Sequence, residues 1–196
     1  MKRHASTFGL LIVALMMVFA SCSPKKAETD SKEIAEEQND DKFDSSKIEK
    51  DVEWATEIAD ASLLEVKLGE LAQTKASSPQ VKELGKMMVT DHSKANEELN
   101  TLAGQKNISL PNLLSDKSQK KFDDLATKTG ADFDKEYSSA MVEGHKDVLS
   151  KFKKEAEDGK DADLRSWAEG KLPVLQHHLS MSEQTEDAVK KIAKNK

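Results

Sequence analysis

The chain has 196 residues, 37% hydrophobic and 34% charged, with a net charge of -6 and only 8 Gly and 4 Pro. An acidic chain without a cluster of Lys and Arg is excluded as a nucleic-acid binder, because phosphate contacts need clustered positive charge. A single cysteine, Cys22, excludes an intrachain disulfide and any site built from several thiolates. Apolar residues recurring at helical period with few breakers predict an all-α protein.

The N-terminus opens with Lys2, Arg3 and His4, followed by an apolar run from Phe8 to Phe19 that is too short to span a bilayer comfortably. Phe19-Ala20-Ser21-Cys22 follows and resembles the lipobox of bacterial lipoproteins, with Phe19 where Leu is usual. The expectation is a signal peptide over 1–21 and a lipidated Cys22 that anchors the protein to a membrane. Residues 22–46 are charged and nearly devoid of apolar side chains, so burial cannot offset their ordering entropy, and a flexible tether is expected. The helical domain is expected over 47–196.

The first long helix is predicted from Ser46, where Ser46-Lys47-Ile48-Glu49 has capping-box form, to about Ala76. Its stripe of Val52, Ala55, Ile58, Ala61, Leu68 and Ala72 carries one carboxylate, Glu65. The second runs from Ser78-Pro79 to a stop at Gly104, with Val81, Leu84, Met88, His92, Ala95, Leu99 and Leu102 on one seam. The connection at Ser77-Ser78 is short enough to make the two helices antiparallel. Glu65 lies about 12 residues before that turn and His92 about 14 after it, which at about 1.5 Å per residue places them within one helical turn in height.

Residues 104–130, with loop chemistry at Asn107-Ile108-Ser109-Leu110-Pro111 and a short helix from Ser115 to Thr129, are too long for a tight turn. They read as a crossover to the other end of the bundle. The third long helix, Asp132 to Asp158, carries Phe133, Tyr137, Met141, His145, Leu149 and Phe152 on its seam. The fourth, Asp161 to Ala193, carries Leu164, Trp167, Leu175, His178 and Val189, and Pro173 predicts a kink just before His177 and His178. His145 and His178 sit about 15 and 18 residues from the Gly159–Lys160 turn, again at similar heights.

Each long helix thus turns one ionisable group inward: Glu65, His92, His145 and His178. Four-helix bundles hold metals through side chains converging from facing helices, and imidazoles with a carboxylate suit zinc, copper, nickel or iron. A second reading of the same residues is a buried hydrogen-bond network, in which Asp91, Asp134, Tyr137 or His177 partner the imidazoles and no metal is held. Met88, Met141 and Met181 lie within a turn of the histidines, which would suit copper(I), although methionine in a seam is ordinarily core filler. No Ser-His-Asp order or glycine-rich phosphate loop points to an enzyme.

Glu65-Val66-Lys67-Leu68-Gly69-Glu70-Leu71-Ala72, Met88-Val89-Thr90-Asp91-His92, Phe133-Asp134-Lys135-Glu136-Tyr137, His145 and Leu172-Pro173-Val174-Leu175-Gln176-His177-His178-Leu179 resemble a bacterial envelope family. That family is catalogued as domain of unknown function forty-one forty-two, and its members are often labelled outer-membrane proteins. The resemblance covers roughly residues 50–182. It implies a ferritin-like antiparallel four-helix bundle in a cell-envelope protein, with no activity to carry over; the expected place of the anchor is the outer membrane, facing the periplasm, because Ser23 and not Asp follows the cysteine. The matching polar positions are Glu65, Asp91, His92, Asp134, Tyr137, His145 and His178. Di-iron bundles carry Glu-x-x-His on two helices. Val89 and Leu175 stand where those glutamates would be, which argues against oxygen activation.

Overall fold

The computed structural model describes residues 30–194; Cys22, the signal segment and the start of the tether lie outside them. Among the described residues there are six helices: α1 (Ser31–Phe43), α2 (Glu49–Lys75), α3 (Pro79–Gln105), α4 (Asp116–Ala126), α5 (Gly130–Asp158) and α6 (Ala162–Lys194). The architecture is an all-helical bundle. α2 packs along α3 and α5 along α6, and the two pairs meet through α2 against α5 and α3 against α6. No helix of the described residues is long and apolar enough to cross a membrane.

The α2–α3 pair is drawn together by two glycines. A Cβ on Gly69 would lie 2.6 Å from the Gly85 carbonyl oxygen, and one on Gly85 would lie 2.7 Å from the Ala72 Cβ. Glycine inside a helix costs about 1 kcal/mol relative to alanine. Here it is what lets the two backbones touch.

Side-chain caps hold the turns. Asp134 on α5 accepts from the Ser77 and Ser78 backbone N–H groups, at 3.0 and 2.8 Å, and so caps the start of α3 from across the bundle. The Ser78 hydroxyl donates to Gln80. Asp60 receives the Ser115 N–H and the Ser115 and Ser118 hydroxyls, and so fixes the start of α4. The expected stop at Gly104 falls inside α3, and the left-handed residue that ends the turn is Asn107, at φ 58°. The Ser46 capping box is likewise absent: α2 begins at Glu49, whose carboxylate accepts from the Ser45 N–H.

Part of the stretch expected to be tether is helical. α1 is weakly apolar, burying only Ala35 and Asn39, and it is held by polar contacts instead. The Asn39 amide donates to the Ser109 carbonyl at 2.8 Å and accepts from the Ser109 N–H at 2.7 Å, as a strand partner would. Lys42 adds bonds to Asn107 and Ser109. Such docking leaves no hydrophobic period in the sequence, which is why composition alone suggested disorder.

At the α5–α6 turn, Asp51 accepts from the Lys160 and Asp161 N–H groups. Glu155 lies beside it, 6% exposed, with Oε1 unpartnered among the described residues. Burial, reinforced by the charges of Asp51 and Asp161, pushes its carboxyl up to about 7. A carboxyl raised in the folded state means that folding takes up a proton between about pH 4.5 and 7, so stability falls as pH rises through that window. Glu155→Gln removes this slope. In urea unfolding the variant is expected to gain about 1–3 kcal/mol on wild type at pH 8 relative to pH 5. An equal pH dependence in the two proteins would refute the assignment.

Candidate metal centre

The apolar interior divides into two clusters, one containing Ile58, Leu99, Leu149, Phe152 and Leu175, the other Leu64, Met88, Tyr137 and Met141. The histidines lie at the boundary. Along α3, His92 falls between Met88 and Leu99; along α5, His145 falls between Met141 and Leu149; along α6, His178 follows Leu175. Because each helix places its histidine on the inward seam at the same level, the three rings face one another. Their centroids are 5.7, 5.3 and 5.4 Å apart, a nearly regular triangle.

Each ring uses one nitrogen outward and leaves the other bare. His145 Nδ1–H donates to the Met141 carbonyl one turn back, at 2.9 Å. His178 Nε2–H donates to the Asp91 carboxylate at 2.8 Å. His92 Nδ1 bonds the Ser62 hydroxyl at 3.2 Å. The remaining nitrogens, His92 Nε2, His145 Nε2 and His178 Nδ1, are buried without a partner among the described residues. One nitrogen of each ring lies within 4.8 Å of the others. For His145 and His178, whose partners only accept, the outward N–H bond fixes both tautomer and ring orientation, as the second nitrogen of a metal-ligating histidine usually does.

Burial disfavours a charge on two of the three rings. It holds the His92 imidazole well below its ordinary value, with the positive charge His145 and His178 would carry adding to the effect. His178 is lowered by burial too, against the opposing pull of its bond to Asp91. With one nitrogen of each ring engaged outward, the nitrogen left bare is the one that could offer a lone pair to a cation.

The other expected site residues divide. Glu65 is buried and lines the same cavity as the trio, but it does not join the three-nitrogen group. Burial pushes its carboxyl up, and its Oε2 has no partner among the described residues. Ser62, one turn earlier on α2, is the residue that meets His92. Asp91 is the partner of His178. Tyr137 is buried in the neighbouring cluster with its hydroxyl unpartnered among the described residues, and burial raises its pKa well above the ordinary value. Two placements correct the expectation. Asp134 caps α3 and does not partner a histidine, because its carboxylate is used by the Ser77–Ser78 backbone. His177 is exposed, since adjacent helical residues diverge by about 100° around the axis. Met88 and Met141 pack with Phe133 and Tyr137 in the apolar cluster, as core filler does.

Ser62 and Gly144 were missed. A Cβ on Gly144 would stand 3.3 Å from Glu65 Oε1, so the glycine beside His145 leaves the carboxylate room. A small residue next to a seam histidine was the available signal.

Asp91→Asn tests the outward support of His178. Loss of such a partner typically weakens metal binding about 10- to 100-fold without abolishing it. Competition titration against a chelator of known affinity is expected to read a loss of that size, and an unchanged affinity would remove Asp91 from the site.

Fold and site together define an all-helical bundle protein with a triad of histidines buried between two apolar clusters. Over residues 33–185 the chain matches the family described as Domain of unknown function (DUF4142), and it belongs to that family. No curated protein matches its sequence. Among solved structures, CopM in the Cu(I)-bound form is similar in fold, with a TM-score of 0.58 at 18% identity over 68% of this chain and 93% of that one.

Proposed function

We propose that the protein is a lipid-anchored envelope protein that holds one transition-metal ion in its core, copper(I) ahead of zinc, nickel or iron. His92 Nε2, His145 Nε2 and His178 Nδ1 are the ligands, and Glu65 is the carboxylate in reserve beside them. The observation that carries the reading is that one nitrogen of each ring lies within 4.8 Å of the others and that each ring keeps one nitrogen bare. A buried polar atom without a partner costs about 1–3 kcal/mol, and three aimed at one point repay that when an ion sits there.

The preference for copper(I) rests on charge. The cost of burying an ion grows with the square of its charge, and the three ligands here are neutral. A monovalent ion suits such a site, whereas a divalent one brings twice the charge into the same apolar surroundings. Copper(I) also accepts imidazole ligands readily. That CopM, similar in fold, has a Cu(I)-bound form accords with this reading.

The surrounding architecture is proposed to be the ferritin-like four-helix arrangement, with α4 on the crossover between α3 and α5. The anchor is Cys22, at the bacterial outer membrane and facing the periplasm. The rival is a non-catalytic structural or stress-related interaction module whose histidines only hydrogen-bond. The bare nitrogens favour the metal, because such a network would use both nitrogens of each ring.

Metal analysis of tag-free protein separates the two. After anaerobic exposure to copper(I) and desalting, about one equivalent is expected to remain, with zinc displaced in competition. Less than a tenth of an equivalent of every metal tried would refute metal binding.

A further inference from the structure

The cavity at the histidines is larger than an ion requires. Its volume is about 160 Å³, and Ile58, Leu99, Val148, Phe152 and Leu175 give it apolar walls. Lys94, Ala95, Lys171 and Val174, which also line it, are exposed or half-buried, so the cavity reaches the surface between α3 and α6. At the far side of its mouth, Trp167 donates to Glu98, to which Lys171 is also paired.

A metal ion and one bound water would fill only a small part of that space, since a water occupies about 30 Å³. An apolar cavity of about 150 Å³ is known to stay dry and to admit benzene. Of the two lysines that line it, Lys171 is already paired with Glu98 and Lys94 is exposed to water, while Asp91 is bonded to His178. A charged guest held between the apolar walls would lose hydration there. A neutral guest gains from apolar burial along its body and from a donor bond at its head.

We infer that this cavity is a small-ligand subsite for a neutral molecule with one soft donor atom on an apolar body no larger than a benzene ring. The donor atom binds end-on to the ion held by His92, His145 and His178. The donor contributes a lone pair to the ion, no electron is transferred, and nothing leaves except water from the cavity. Thioethers, aromatic nitrogen heterocycles and isocyanides belong to this class. The inference rests on the metal reading above.

The test is anaerobic titration of the copper(I)-loaded protein with tert-butyl isocyanide, followed by the infrared stretch of the bound isocyanide, with carbon monoxide as a probe too small to need the cavity. Wild type is expected to saturate at one isocyanide per copper. Ala95→Phe, which narrows the mouth, is expected to keep its copper and its carbon monoxide band while isocyanide affinity falls at least tenfold. Ala61→Leu, which fills space at another wall, gives the same reading by a second route. A copper-loaded wild type with no bound-isocyanide band, or both variants binding as wild type does, overturns the subsite and leaves the metal site standing. Protein that retains no copper overturns both.

Discussion

His145→Gln is expected to empty the centre. Structural metal sites bind with about 10–16 kcal/mol, so one ligand among three or four carries about 3–4 kcal/mol, or roughly a hundred- to a thousandfold in affinity. Glutamine keeps much of the bulk of the ring and can still reach the Met141 carbonyl, but it places no imidazole lone pair toward His92 and His178. His92→Gln is expected to behave alike. The double variant should retain no copper through desalting while its far-ultraviolet circular dichroism stays helical. Retention of a full equivalent by the double variant would show that the ion, if bound, sits elsewhere. If instead neither protein binds copper and the variants differ only in unfolding temperature, the histidines serve packing and hydrogen bonding alone.

The second large effect is on stability. An ion that binds only the folded chain stabilises it by about 4 kcal/mol at a free concentration a thousandfold above the dissociation constant. For a domain of this size about 1 kcal/mol moves the melting temperature by roughly 2–4 °C. Copper(I) loading is therefore expected to raise Tm by about 8–16 °C, and a competing chelator should reverse the rise. His92→Gln should start from a similar Tm without metal and, at the same copper concentration, gain only about 1–5 °C on loading. The physical source is the removal of three unpartnered polar atoms from the core, together with a cross-link between α3, α5 and α6. A chelator-insensitive Tm in loaded protein would contradict a site in the interior.

Helix placement was largely legible before any coordinates. α3, α5 and α6 begin and end within about two residues of where Ser78-Pro79, Asp132 and Asp161 with their stop signals put them, a normal margin for such boundaries. The seams were legible because side chains three and four apart share a face whatever the tertiary structure. α1 was not legible: it is fixed by the Asn39–Ser109 pairing, and a polar contact across 70 residues has no local signature.

The amino-acid sequence by itself determined which residues point inward, and counting from two short turns brought Glu65 near His92 and His145 near His178 in height. Only the tertiary structure decided how far each helix is rotated about its own axis. Height follows from rise per residue, whereas rotation is set by packing, as where Gly69 and Gly85 let α2 and α3 touch. That rotation brings Ser62 to His92, turns Asp134 to the α3 cap, leaves Glu65 beside the trio instead of within it, and leaves a cavity against the three histidine rings.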